Sequence, residues 1–399
     1  MHQNIHNLVN VAAKQERMII GLMSGTSMDG LDIALCLIKG AGMDTHFELK
    51  AFTTIAYTND FKEKILSIFS KEMVALETLC LLNAWVGKQH GKMVIDALAS
   101  WKIAPETVDM IASHGQTIYH APKSLHPNSE FDPATLQIGD GDHIAVTTGI
   151  LTLSDFRQKH VAAGGEGAPL AVYGDYLLCS HTTENRLLLN MGGIANFTYL
   201  AAGCSLDQVF STDTGTGNTL MDAYTRAHFA PMAYDKGGAI AATGKINPDL
   251  LSALKAHSFF KLTLPKTIGP ELFNLEFLNK AQVASHTLDV TKEDVMATLN
   301  RFSAETIADC IQSSIPAGTK FNMYCSGGGM HNSVLMEHLK SLLPNATLYS
   351  SEVLGINPDA KEAILFALLA NEAVAGTPLF AGGHATKIPI TMGKISFPL

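Results

Sequence analysis

The stretch MIIGLMSGTSMDGLDIALCLI, residues 18–38, sets glycine, serine, threonine and aspartate between two apolar runs. It reads as a buried hairpin whose connection is longer than a plain turn needs. Backbone amides around Gly25 and Gly30 and the hydroxyls of Ser24, Thr26 and Ser27 crowd its tip. Glycine lets the backbone come close and successive N–H groups converge, so such a tip can wrap an anion. Glycine turns also follow apolar runs at Gly192 and Gly193 in NMGGIAN and at Gly327, Gly328 and Gly329 in SGGGMHN. A single turn of this kind is weak evidence. Several in matched positions of two halves point to a phosphate-rich ligand.

The elements that must hold these turns alternate. After the hairpin come a third strand near FELKAFTTIAY and helices from about Asp60 to Ser70 and from Val74 to Ser100. VDMIASHGQTI reads as a buried strand, TLQIGDGDHIAVTTG and ILTLSDF as strand, short helix and strand, and Gly167 to Cys179 as helix. Near residue 185 the pattern restarts with a second hairpin, then helices from Asn218 to about Ala317, with Leu299, Phe302, Ile307 and Ile311 near one helical face. KFNMYCSGGGMHN and ATLYSS are strands, and a long helix runs from about Pro358 to Ala375. Strands alternating with helices predict a layered α/β chain made of two duplicated domains with a cleft between them. The expected division is a loosely ordered extension over 1–17, one domain over 18–184, and a second over 185–399 carrying a helical insertion.

Composition narrows the class. With 399 residues, 47% hydrophobic and 16% charged, the chain is long enough for two folded domains. A net charge of −9 argues against nucleic acid or an anionic membrane surface as partner. The six cysteines show neither a CxxC pair nor zinc spacing, which fits buried thiols in a reducing compartment. No apolar run reaches membrane-spanning length and no secretory leader is legible, so the expectation is a soluble, cytoplasmic protein. The phosphate patterns of P-loop and dinucleotide folds are missing: in GGAIAATGKI the spacing is off and Ile246 follows Lys245. Kinase H-R-D and D-F-G signatures and the zinc motif H-E-x-x-H are also absent. A nucleotide would have to sit on the hairpin turns.

Eight segments then occur in order: GLMSGTSMDGLD, SHGQTIYH, LQIGDG, SDFR, VAAGGEGAPL, NMGGIANFTYL, DTGTGNTLMD and CSGGGMHN. Together they closely resemble the anhydro-N-acetylmuramic acid kinases of peptidoglycan recycling, from about residue 18 to the C-terminus. The resemblance implies two actin-like, ribonuclease H-like ATPase domains with a nucleotide cleft between them, closing on their ligands. It implies ATP and Mg²⁺ as cofactors, a small-molecule sugar as substrate, and a possible homodimer. The implied reaction opens the 1,6-anhydro bridge with water and phosphorylates the freed O6.

Residue by residue, the resemblance gives Asp213 of STDTGTGN as the base for water. By spacing alone, Asp213 reads first as a helix N-cap. Glu362 of NPDAKEAILFALLA matches a second family carboxylate and would otherwise be an exposed helical turn. The phosphate clamp would run through Gly25, Thr26, Ser27, Met28, Asp29, Gly30, Leu31 and Asp32, with Asp29 or Asp32 reaching magnesium through water. Gly192 and Gly193 would supply a second phosphate turn, and Gly327, Gly328, Gly329 and Asn332 the adenosine side. For the sugar, Arg157 could grip the lactyl carboxylate with Asp155 beside it, and an Arg–Asp pair holding the strand end is the equal alternative. SHGQT is expected to set His114 and Gln116 near the cleft, although a lone histidine is more often structural.

Two departures stand out: Glu166 where the family often has glutamine, and Pro270 where arginine is common. The alternatives are another sugar kinase of the same fold and a chaperone-like ATPase, which would lack the sugar-orienting segments.

Overall fold

Gly21 lies in the middle of an apolar run, where a side chain would collide with the backbone carbonyl of Ala363, 1.8 Å from the Cβ position. That close approach fixes how the first half of the chain is built. A computed structural model describes residues 2–25, 28–123, 130–167, 170–268, 272–357, 359–380 and 389–399. The chain divides into two units, Met1–Cys179 with Ile356–Leu399, and Ser180–Gly355. The strands before the division are β1 (Glu16–Ser24), β2 (Gly30–Lys39), β3 (His46–Ala56), β4 (Met110–Ala121), β5 (Ala134–Ile138) and β6 (Thr152–Ser154). The second unit holds β7 (Arg186–Met191), β8 (Ile194–Leu200), β9 (Phe210–Thr216), β10 (Phe321–Ser326) and β11 (Ala346–Ser350). Short strands β12 (Leu379–Phe380), β13 (Pro389–Ile390) and β14 (Lys394–Ser396) follow.

In the first unit β1, β2 and β3 form an antiparallel meander, β4 lies parallel to β1, and β6 lies parallel to β4. In the second unit β7, β8 and β9 form the meander, β10 lies parallel to β7, and β11 parallel to β10. The two sheets therefore repeat one topology, that of the ribonuclease H-like, actin-type domain. β5 and β14 are additions to the first sheet, paired antiparallel with β4 and β6.

Each sheet is covered by helices that bury apolar faces. In the first unit Ile20, Leu22, Ile33 and Leu35 pack with Phe61, Val86, Val94 and Leu98. In the second, Leu187, Leu189 and Phe197 pack with Ile307, Ile311, Leu335 and Leu339. The helical insertion falls between β9 and β10 and has its own core around Phe273, Leu299 and Phe302. The helix Lys292–Ser314 thus serves two cores, with Leu299 and Phe302 in the insertion and Ile307 and Ile311 under the sheet.

Two expectations about the ends of the chain are corrected. Residues 356–399 belong to the first unit rather than the second. The helix Lys361–Ala375 is buried from Ala363 to Glu372 and lies against β1 at Gly21, which has no Cβ to hold it off. The 1–17 segment carries a helix, Gln3–Ala13. Buried Arg17 donates to the carbonyls of Val11, Ala12 and Lys14 at 3.0, 2.7 and 2.6 Å, satisfying orphan groups at that helix's C-terminal end. It also donates to Asn371 Oδ1 at 3.1 Å, tying both chain ends together.

Candidate active site

In the first unit, the connection between β1 and β2 is where the sequence places the phosphate clamp. Met28 is buried in the left-handed region at φ 56°, and its amide donates to the Gly25 carbonyl at 3.3 Å. The Asp29 carbonyl accepts from the Tyr57 amide at 3.0 Å. Glycine is required at Gly30, where a Cβ would stand 2.5 Å from the Ile55 carbonyl oxygen. Leu31 is wholly buried and pairs with Ser24 across β1 and β2. Thr26 and Ser27 lie outside the described residues. Asp32 accepts from Thr54 Oγ1 at 2.6 Å. Burial raises its pKa, Thr54 opposes the rise, and Asp359 and Asp29 add to it.

Arg157 stands in the first turn of the helix Phe156–Ala162, a helix the sequence reading did not anticipate. Its Nε donates to His114 Nε2 at 2.9 Å and its Nη1 to the Gly167 carbonyl at 2.7 Å. Among the described residues no hydrogen-bond acceptor holds Nη2. His114 is buried, is 2.8 Å through Nδ1 from the Gly115 carbonyl, and has its pKa pushed down to about 3 by burial and then by Arg157. Neutral His114 thus donates through Nδ1 and accepts from the guanidinium through Nε2. The Arg157–Asp155 pair of the alternative reading is not formed: Asp155 meets Lys394 Nζ at 2.5 Å instead.

Glu362, in the first turn of Lys361–Ala375, reaches solvent yet is walled by protein. That crowding raises its pKa; Arg157 pulls it down, Asp32 pushes it up, and Lys361 again pulls down. Asp32, Arg157 and Glu362 therefore form one electrostatically linked set. Gln116 does not join it. Its side chain is fully buried under the clamp. Glu166 accepts the backbone amide of Lys123 at 3.1 Å, a bond that a glutamine oxygen could also accept. Pro270 lies outside the described residues.

In the second unit Asp213 sits within β9, opposite Asn196. Its amide donates to the Lys266 carbonyl at 3.0 Å, and its Oδ2 accepts from the Ile268 amide at 2.8 Å. Burial raises its pKa, the Ile268 bond opposing. It is not an N-cap; the next helix, Thr219–His228, starts after Asn218. The glycine turns do come together. The Gly193 carbonyl accepts the Gly217 amide at 2.8 Å and the Gly192 carbonyl the Asn218 amide at 2.9 Å. Gly327, at φ 79°, has room for no side chain beside Asn190 and Met191, and Gly329 touches Met191 likewise. Gly328 follows in the same turn, its Cβ position 3.6 Å from Asn218 Nδ2. Asn332 caps the helix Ser333–Leu342, accepting from Leu335 N and from Asn300 Nδ2, both at 3.1 Å, so its side-chain oxygen is already engaged.

These turns lie where the parallel strands β7 and β10 end, the usual ligand end of an α/β sheet. The family model for anhydro-N-acetylmuramic acid kinase matches residues 17–395. The chain belongs to the anhydro-N-acetylmuramic acid kinase family. It is 57% identical to the anhydro-N-acetylmuramic acid kinase of Pseudoalteromonas atlantica over 100% of both chains. The corresponding kinase of Pseudoalteromonas translucida is 55% identical, again over 100% of both. That of Caldanaerobacter subterraneus subsp. tengcongensis is 37% identical over 98% of this chain and 99% of its own. Membership makes the chain a phosphotransferase.

As for a metal, no cluster of three or more histidine, cysteine or carboxylate ligands exists among the described residues. Magnesium needs only one or two carboxylates beside waters and substrate phosphates, and Asp32, whose pKa the charges of Asp359 and Asp29 help to raise, would be the carboxylate to offer it. Asp359 was not singled out from the sequence, although its place three residues before Glu362 is a signal that could have found it. Among the described residues no helix is long and apolar enough to cross a membrane.

Proposed function

We propose that this chain uses ATP to convert 1,6-anhydro-N-acetylmuramic acid to N-acetylmuramate 6-phosphate and ADP, in peptidoglycan recycling. The observation that carries this reading is the full-length identity of 57% to a kinase of that name. In the reaction, Asp213 takes a proton from water as the water oxygen attacks C1. The C1–O6 bond breaks and its electron pair moves to O6. O6 then attacks the γ-phosphorus, and the bond to the β-phosphate oxygen breaks to release ADP. Burial that raises the Asp213 pKa suits it to general-base work, because a base is best matched when its pKa nears the working pH. The Ile268 amide on Oδ2 leaves Oδ1 to face the water.

Arg157 binds the lactyl carboxylate of the sugar through Nη2, and Glu362 orients the sugar beside it. In the first unit the turn from Gly25 to Asp32 binds phosphate, and in the second the turns at Gly192–Gly193 and Gly327–Gly329 bind nucleotide. Asp32, with Asp29 beside it, would hold magnesium through water, and the ion would supply neutralisation of phosphate charge. Positioning and charge neutralisation supply most of the rate in phosphoryl transfer. A cytoplasmic place goes with ATP as donor.

The test is turnover in oxygen-18 water with ATP, magnesium and the anhydro sugar. Label at C1 of the product, with one ADP per sugar, is the expected result. Phosphorylation without label at C1 would move the chain to an ordinary sugar kinase.

A further inference from the structure

Beneath the clamp runs a line of buried polar groups. The Tyr57 hydroxyl donates to Ser24 Oγ at 2.7 Å and lies 3.0 Å from His90 Nε2. Ser24 Oγ donates to Gln116 Oε1, and Gln116 Nε2 donates to the carbonyls of Gly25 and Thr117, both at 3.3 Å. All four side chains are buried, His90 and Gln116 at 0% exposure.

Hydrogen counting gives this line a single direction. An amide oxygen can only accept, so the Ser24 hydrogen points to Gln116. Ser24 Oγ therefore accepts the Tyr57 hydrogen, and the Tyr57 oxygen accepts from His90, which carries its proton on Nε2. That leaves His90 Nδ1 bare, and it has no partner among the described residues. Burial drives the His90 pKa down to about 4, so the imidazole stays neutral and the direction holds at neutral pH. The line ends on the carbonyl of Gly25, which also accepts from the Met28 amide.

We propose that His90, Tyr57, Ser24 and Gln116 are positioning residues that set the Gly25 backbone, at the entry to the clamp, for the nucleotide's phosphates. Two donors on the Gly25 carbonyl, Gln116 Nε2 and the Met28 amide, hold that carbonyl in place. Apolar side chains of similar volume would fill the same space without buried polar groups to satisfy, so a fully directed line serves orientation rather than bulk stability. Backbone that binds phosphate must be held within a fraction of an ångström, and the supporting groups do that holding. The proposal rests on the Gly25–Asp32 clamp being the phosphate site.

The test uses the full chain. Tyr57→Phe keeps the ring stacked on Phe61, at 3.9 Å between centroids, and removes only the hydroxyl. Ser24→Ala breaks the line one step closer to the turn, and Ser24→Thr restores a hydroxyl. Kd for magnesium–ATP by calorimetry and KM for each substrate are read beside thermal melts. Tyr57→Phe and Ser24→Ala should weaken ATP about 3- to 10-fold, the worth of one hydrogen bond. KM for the sugar should hold, and Ser24→Thr should recover ATP affinity. A folded Tyr57→Phe that binds ATP as wild type does overturns the proposal alone, as does an equal rise in both KM values. A folded wild type that binds no ATP overturns the clamp, and this proposal with it.

Discussion

Asp213 shows how a single residue can work against the fold that holds it. Its pKa is raised by burial, so the folded state binds its proton more tightly than the unfolded chain does. Stability from this group is therefore greatest at low pH and falls as pH rises from the ordinary carboxylate range through the raised value. Above both values the ionised form carries the full cost. Asp213→Asn, neutral and still able to accept from Ile268, should melt no lower than wild type at pH 7. Its turnover should drop by about a hundred- to ten-thousand-fold, the usual worth of a general base. In wild type, the acid limb of kcat/KM should lie above the ordinary aspartate value of about 3.9. A melt together with an ADP-release assay across pH checks all three outcomes. At this scale the sequence was a partial guide. Spacing alone favoured a cap at Asp213, and only the resemblance gave it chemistry; the β9 setting removes the cap. Tyr57, His90 and Asp359 were not legible, because their partners lie far away in the chain.

At the scale of elements, local pattern carried most of the reading. The strands β1 to β4, the restart near residue 185 and the helix Lys361–Ala375 all follow from runs of apolar residues and their breakers. What escaped is short or depends on distant partners. β14 has three residues and exists because β6 offers an edge, and Phe156–Ala162 is a helix of two turns. Gly21 is the element-scale residue with the sharpest consequence. Its place in β1 reads as an ordinary strand glycine until the Ala363 carbonyl is seen against it. Gly21→Ala must push the buried helix off the sheet, and overpacking of backbone on backbone should cost about 3 kcal/mol or more. Chemical denaturation of the two proteins measures it; an unchanged midpoint would mean the helix is held elsewhere.

For the whole molecule, the repeated meander with two parallel strands was foreseen as two rhyming halves, and the position of the C-terminal segment was not. Sequence order gives no sign that a chain will return to a unit it has left; only packing against β1 reveals it. The second unit, by contrast, is one continuous segment with its two apolar cores inside it. Residues 180–355 expressed alone should therefore melt in one cooperative transition with native-like circular dichroism. A broad, non-cooperative melt would show that this unit depends on the rest of the chain.

The returning helix also sets a timetable. On the ribosome, domains generally fold as units once their residues have emerged. The second unit has all of its residues when Gly355 is made, while the first waits, with β1 uncovered at Gly21, for residues made after that point. The unit begun first is thus completed after the one begun second, and a chain cut short just past Gly355 would have its earlier unit open to proteases.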